Sequence, residues 1–254
     1  MILPRLYPII DFAGFASQVD PVDSVLRFAE ALLQGGATFI QYRDKSGDSA
    51  RMLSCARELR RITEGRAALI VNDRVDICLA AGADGVHLGQ DDLSPAAARS
   101  VFDRTYDRTQ GAHHAFAGRL YAPSTRAREG VGERVAAANL PSPSGSFSES
   151  AGYLIGFSTH NLAQVTEADS MPIDYLAVGP VFETASKANP DPVIGLEGIR
   201  QARAATGKPL VAIGGITRKN CIQAREAGAD SVAVISDLLE SPVKAVEEFL
   251  RILG

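Results

Sequence analysis

Three segments of the chain read as variations on one phrase: "LLQGGATFIQY" at 32–42, "LAAGADGVHLG" at 79–89 and "REAGADSVAVI" at 225–235. A fourth, "SMPIDYLAVGP" at 170–180, keeps the rhythm without the glycine. In each, a helix-like tail meets a small-residue turn that leads straight into a short apolar run. Glycine just past a helix end suits the left-handed capping position, which a side chain would crowd. The threonine or aspartate that follows begins the turn into a strand. A helix that hands over to a strand, repeatedly, calls for a layered α/β architecture.

Working outward from these handovers, strands are predicted near 6–10, 38–42, 68–71, 85–88, 154–157, 175–178, 210–213 and 231–235. Helices are predicted near 22–34, 49–63, 75–81, 94–102, 161–168, 196–206, 219–227 and 243–253. The strands are short and continuously apolar ("ALIV", "LVAI", "SVAVI"), as expected when both faces are covered. The helix over 22–34 sets Val25, Phe28, Ala29, Leu32 and Leu33 on one stripe, the spacing of a helix lying on a sheet. Eight strands alternating with eight helices over 254 residues have the size and rhythm of a (β/α)8 TIM barrel, one domain spanning 1–254. An open doubly wound sheet is the alternative, but no G-x-G-x-x-G follows the first strand.

One stretch breaks the alternation. From about 104 to 150 the sequence is rich in Ser, Arg, Gly and Pro and ends "NLPSPSGSFSESAG". It reads as an irregular insertion between the fourth helix and the fifth strand, longer than an ordinary connection, with a weak helical signal at 126–138. A flexible surface segment remote from the active face is expected. His113 and His114 lie inside it, and adjacent histidines alone do not make a metal site.

Charge and cysteine content narrow the function classes. A net charge of −4 and a pI near 5.6 give no basic field for nucleic acid, and no apolar run reaches the roughly 18 residues that span a bilayer. The opening "MILPRLYPIID" has no charged leader or cleavage site, so no signal peptide is expected. Cys55, Cys78 and Cys221 are widely spaced in helical stretches without a C-x-x-C pattern. Buried, reduced thiols in a cytoplasmic protein fit that spacing. The sequence leaves a homo-oligomer open.

On such a barrel, chemistry gathers at the C-terminal ends of the strands. Strand two ends in Gln41, Arg43 and Lys45, and strand three in Asn72 and Asp73. Strand four ends in His87, Gln90, Asp91 and Asp92, strand five in Ser158, Thr159 and His160, and strand six in Thr184, Ser186 and Lys187. Strands seven and eight end in Gly214–Gly215 and Ile235–Ser236. Singly, each has an ordinary explanation. Asp73 and Asp92 would serve as helix N-caps, the reading preferred for Asp91. Arg43 and Lys45 would be solvated, His87 a hydrogen-bonded core histidine, and the glycines a tight turn. Together, two carboxylates and an amide beside several cations suit Mg²⁺, a hard cation that keeps few protein ligands and shares the rest with phosphate oxygens. Lys45, Lys187 and Arg43 would cover remaining phosphate charge. Gly214, Gly215 and the amides after strand eight would cradle a second phosphate.

The motifs "QYRDK" (41–45), "VNDRVDICLAAGADGVHLGQDD" (71–92), "IGFSTHN" (155–161), "VGPVFETASK" (178–187), "IGGI" (213–216) and "AVIS" (233–236) together resemble thiamine phosphate synthases. That resemblance covers nearly the whole chain outside the insertion. It implies a barrel enzyme that transfers a pyrimidinylmethyl group from an aminopyrimidine diphosphate to a carboxylated thiazole phosphate, releasing pyrophosphate and carbon dioxide. Its substrates would be small molecules, with neither nucleic acid nor membrane as partner, and its cofactor Mg²⁺ on Asp73 and Asp92. By position it implies that Gln41, Arg43, Asp44, Lys45, Asn72, Ser158 and Lys187 meet the pyrimidine diphosphate. Arg43, Lys45, Ser158 and Lys187 would act on the leaving group. Thr184, Ala185, Ser186, Gly195 and the Ile235–Ser236 backbone, with Gly214 and Gly215, would meet the thiazole phosphate. Ser186 stands where threonine is common and Ala188 where a second lysine is frequent. Two alternatives are a thiazole tautomerase of the same fold, which would use His160 for proton transfer, and a non-catalytic phosphate-ligand sensor.

Overall fold

The computed structural model describes residues 2–109, 152–184 and 191–254, with only the backbone described over 106–109. Strand β1 (Leu6–Asp11) is followed by α1 (Pro21–Gln34), β2 (Phe39–Arg43), α2 (Ser49–Thr63), β3 (Ala68–Asn72), α3 (Val75–Ala81), β4 (Gly85–Leu88) and α4 (Pro95–Thr109). The second half runs β5 (Leu154–Thr159), α5 (Leu162–Asp169), β6 (Tyr175–Val178), α6 (Gly195–Ala205), β7 (Leu210–Ala212), α7 (Cys221–Glu226), β8 (Ser231–Val234) and α8 (Pro242–Leu253). All neighbours pair in parallel, and β1 pairs with β8, closing the barrel in the order β1 to β8. The (β/α)8 expectation is met. The fourth helix departs from it: α4 runs to Thr109 rather than stopping near 102, into the expected start of the insertion. The rest of the insertion, with the 126–138 helix and the histidine pair, lies outside the described residues.

Two apolar layers follow from the strand geometry. Side chains pointing outward from the strands meet the helix stripes, and Val25, Phe28, Ala29, Leu32 and Leu33 of α1 are all buried there. Those pointing inward fill the barrel, among them Tyr7, Phe39, Leu154, Tyr175 and Val211. Cys55, Cys78 and Cys221 are free and buried on helices, and burial raises each thiol's pKa, that of Cys55 to about 11.

The aspartate in the repeated phrase now has a physical role. Asp84, ahead of β4, accepts from Leu69 N at 2.8 Å and from Arg60 Nη1 at 2.9 Å, while its own N–H donates to Leu69 O at 2.9 Å. Asp174, ahead of β6, repeats this with Ile155 N (2.7 Å), Arg99 Nη2 (2.7 Å) and Ile155 O (2.8 Å). Asp230, ahead of β8, repeats it with Leu210 N (2.8 Å), Arg203 Nη1 (2.9 Å) and Leu210 O (2.8 Å). Each carboxylate thus ties an even strand to the odd strand before it and to an arginine on the helix before that odd strand. Thr38, ahead of β2, has no carboxylate, and its carbonyl accepts from Ala68 N of the following strand at 2.9 Å. These ties lie at the strand N-termini. The opposite rim is left for the loops.

Candidate active site

At the C-terminal rim the loops enclose a cavity of about 650 Å³. Gln41, Arg43, Lys45, Asn72, Asp73, Asp92, Ser158, Thr184, Gly214, Gly215, Ile235 and Ser236 all line it, so most of the residues singled out in the sequence converge there. Ala185, Ser186 and Lys187 lie outside the described residues. Two of the expected residues are not in the lining. Asp44 does not line the cavity: it is buried beneath the β2 loop, accepting from Ser46 N at 2.9 Å and Arg51 Nη2 at 3.2 Å. Gly195 opens α6 at φ +64° and is also absent from the lining. Strand alternation explains the first, since Gln41 and Arg43 face inward and Asp44 begins the turn toward α2.

The cations are already oriented by carboxylates. Arg43 donates to Asp11 at the end of β1, its direct neighbour in the β1–β2 register. Lys45 pairs with Asp73. Neither Asp73 nor Asp91 caps a helix: α3 starts from Arg74 without a side-chain cap, and Ser94 Oγ accepts from Ala97 N at 3.3 Å at the start of α4. Asp73 instead sits at φ +63°, a left-handed conformation that costs a residue with a side chain. Burial raises its pKa, the neighbouring Asp92 adds to that, and Lys45 opposes both. Asp92 accepts from Gly89 N at 2.7 Å, which fixes the β4 loop around it. Two close carboxylates with a charge-balancing lysine form a hard-oxygen donor set that fits Mg²⁺. Among the described residues, no group of three or more His, Cys, Asp or Glu side chains gathers into a fuller site. Beside them, buried Asn72 Nδ2 has no hydrogen-bond partner, leaving a donor for a ligand.

On the far side, β7 and β6 meet through Val181 N to Ile213 O at 2.9 Å and Phe182 N to Gly214 O at 3.0 Å. Gly214 (φ +97°) and Gly215 (φ +65°) could not carry side chains: a Cβ would lie 2.6 Å from Pro180 Cα or 2.4 Å from Glu183 O. The 3-10 turn Ser236–Leu238 opens directly after β8 with no side-chain cap, so its first amides are available to an anion.

The cavity floor holds side chains that the sequence reading passed over. Gln41 Nε2 donates to Tyr7 Oη at 2.7 Å, and Tyr7 Oη lies 2.8 Å from Tyr175 Oη. Tyr175 Oη lies 3.1 Å from His87 Nδ1, and His87 Nε2 lies 2.8 Å from Ser158 Oγ. His87 is the hydrogen-bonded core histidine anticipated, yet it also lines the cavity. Burial lowers its pKa to about 4 against the opposing charge of Asp92, so the ring is neutral near pH 7. Tyr7, Tyr175 and Asp11 gave no signal because each sits in or at the end of an apolar strand. His160 lines the cavity too, with Nδ1 2.8 Å from Gly179 O and 3.4 Å from Asp191.

The family model for thiamine monophosphate synthase matches residues 13–107 and 144–238, two blocks flanking most of the insertion. A thiamine-phosphate synthase of Koribacter versatilis is 43% identical over 99% of this chain and 96% of its own length. One from Chloroflexus aurantiacus is 36% identical over 88% of this chain and 82% of its own. Among solved structures, a thiamine phosphate pyrophosphorylase from Pyrococcus furiosus superposes with a TM-score of 0.69 at 28% identity, covering 98% of this chain and 95% of that one.

Proposed function

Because the chain belongs to the thiamine monophosphate synthase family, we propose that it is a thiamine-phosphate synthase. It joins 4-amino-2-methyl-5-(diphosphooxymethyl)pyrimidine to carboxylated 4-methyl-5-(2-phosphoethyl)thiazole, giving thiamine monophosphate, pyrophosphate and carbon dioxide. The observation that carries this reading is the meeting of two anion-binding features in one cavity: Arg43, Lys45, Asn72, Asp73 and Asp92 on one side, Gly214, Gly215, Ile235 and Ser236 on the other.

The chain's residues divide the work. Gln41 seats the pyrimidine end and Ser158 meets a diphosphate oxygen, while Arg43 and Lys45 lie against the diphosphate and stabilise the negative charge that grows as it leaves. Asp73 and Asp92 would hold Mg²⁺, which when bound supplies further charge stabilisation to the departing oxygens. The aminopyrimidine supports a cation at its exocyclic carbon, so the step needs no protein nucleophile. The thiazole, held by backbone N–H groups of the β7 and β8 loops, needs orientation so that its nitrogen can attack that carbon.

The second reading, a thiazole tautomerase, rests on His160, whose Nδ1 is anchored on Gly179 O beside Asp191. Proton transfer alone gives no use to Arg43, Lys45, Asp73 and Asp92, and for that reason the synthase is preferred. Incubation with both substrates and Mg²⁺ decides: thiamine monophosphate and pyrophosphate in equal amounts are expected. Isomerised thiazole without pyrophosphate would select the tautomerase. Binding of either substrate without turnover would select the sensor.

A further inference from the structure

We propose that the buried Gln41–Tyr7–Tyr175–His87 line is a one-way hydrogen-bond relay that fixes His87 as its Nε2–H tautomer and turns the Ser158 hydroxyl proton toward the cavity. The direction follows from counting protons. The Gln41 amide nitrogen has hydrogens to give and no lone pair to receive one, so at the Gln41–Tyr7 contact Tyr7 is the acceptor. Among the described residues the remaining neighbour of the Tyr7 hydroxyl is Tyr175 Oη at 2.8 Å, so Tyr7 gives its proton there. Tyr175 then gives its own to His87 Nδ1, which must be unprotonated to receive it. A neutral imidazole with a bare Nδ1 carries its hydrogen on Nε2 and donates it to Ser158 Oγ. Ser158 accepts through a lone pair, and its own hydrogen is left for a ligand. At the other end, using Nε2 on Tyr7 leaves the Gln41 amide oxygen as an acceptor.

Packing preserves this line independently of its hydrogen bonds. A Cβ at position 156 would fall 2.1 Å from Tyr175 Cζ and 2.4 Å from His87 Nδ1, so the glycine of "IGFSTH" is what lets the phenol cross β5 to reach the imidazole. Tyr7 stands edge-on to Tyr175, with centroids 5.9 Å apart and planes at 76°, and edge-on to Phe39 at 4.6 Å and 71°. Neither phenol can swing away without leaving a void in the barrel.

The proposal deepens the synthase reading and rests on it for the ligand's identity. The cavity would present a hydroxyl donor at Ser158 and an amide acceptor at Gln41, matched to an anionic oxygen of the diphosphate and to the exocyclic amine of the pyrimidine. Tyr7, Tyr175 and His87 are positioning residues that act through these two ends.

The first test needs no substrate. In ¹⁵N-histidine NMR of the whole protein, the His87 ring should be the Nε2–H tautomer at pH 7, with signals of the four histidines assigned through His113→Gln, His114→Gln and His160→Gln. An Nδ1–H tautomer overturns the proposal. The second test is a double-mutant cycle on single-turnover pyrophosphate release. Tyr175→Phe should slow release about tenfold when Ser158 is present and less than about twofold in the Ser158→Ala background, because its effect passes through that hydroxyl. Equal slowing in both backgrounds, or none in either, overturns the relay and leaves Tyr175 as packing. Should wild type form no product, the synthase reading fails while the tautomer result still judges the relay. The same measurement stands if Tyr175→Phe does not fold.

Discussion

Lys45 and Arg43 each hold a carboxylate, Asp73 and Asp11, before any diphosphate arrives. Such pairing orients a long side chain while leaving further N–H groups for a ligand. If both cations stabilise charge that develops only as the diphosphate leaves, Lys45→Ala should lower the single-turnover rate by a hundred- to a thousand-fold, about 3–4 kcal/mol, with a smaller change in KM. Arg43→Lys should recover only part of the activity, since ammonium cannot reproduce a planar two-pronged contact. An altered KM with an intact single-turnover rate would show that these cations merely gather substrate. Asp92→Ala, or EDTA on the wild type, should remove most turnover; full activity in metal-free buffer would reject the Mg²⁺ assignment. Asp44, outside the cavity lining, is held by Ser46 and Arg51. Burial pushes its pKa up, but hydrogen bonds from Ser46 and the charge of Arg51 outweigh that and hold it below the ordinary value. A lowered carboxyl pKa contributes stability that is complete above the unfolded value of about 4 and lost as pH falls through the folded one. Asp44→Asn should therefore be less stable than wild type to urea at pH 7, with the gap closing as pH falls below the unfolded value.

At the scale of the elements, the repeated handover turns out to be a three-way bond rather than a turn preference alone. Asp84→Ala would strand Arg60 and the N–H of Leu69 in buried surroundings, which costs about 3 kcal/mol or more. Urea unfolding should show that loss, while kcat/KM of the folded variant stays near wild type because the tie is at the other rim. A variant of normal stability would reduce the tie to ornament. The glycines and aspartates of the handovers were legible because they are local, adjacent in sequence to the strands they introduce. Their arginines were not, since each lies about 24 to 75 residues away along the chain and only the closed barrel brings it near. The polar strand ends were legible for a related reason: Gln41, Asn72 and Ser158 stand out against apolar runs. Tyr7 and Tyr175 vanish into such runs, where a phenol reads as one more large core residue. The span of α4 was missed because "DRTYDRT" lacks apolar spacing after Phe102 and carries no stop signal before Thr109.

Across the whole molecule, the described ends that border the insertion, the end of α4 and the start of β5, lie on the rim opposite the cavity. Replacing 110–151 with a short Gly/Ser link, which spares all of α4, should leave a folded barrel whose kcat stays within a few-fold of wild type. Circular dichroism and steady-state assay would check both. A folded deletion without turnover would mean that the segment reaches an active site, its own or a neighbour's. The aspartate ties carry a further consequence. They precede β4, β6 and β8, and each closes a two-strand module on the rim opposite the cavity. Loops on the opposite rim can therefore be rewritten, lengthened or exchanged without loosening what holds the ring shut. A lineage built this way can copy one rim faithfully and revise the other, so that new chemistry need not begin with a new fold.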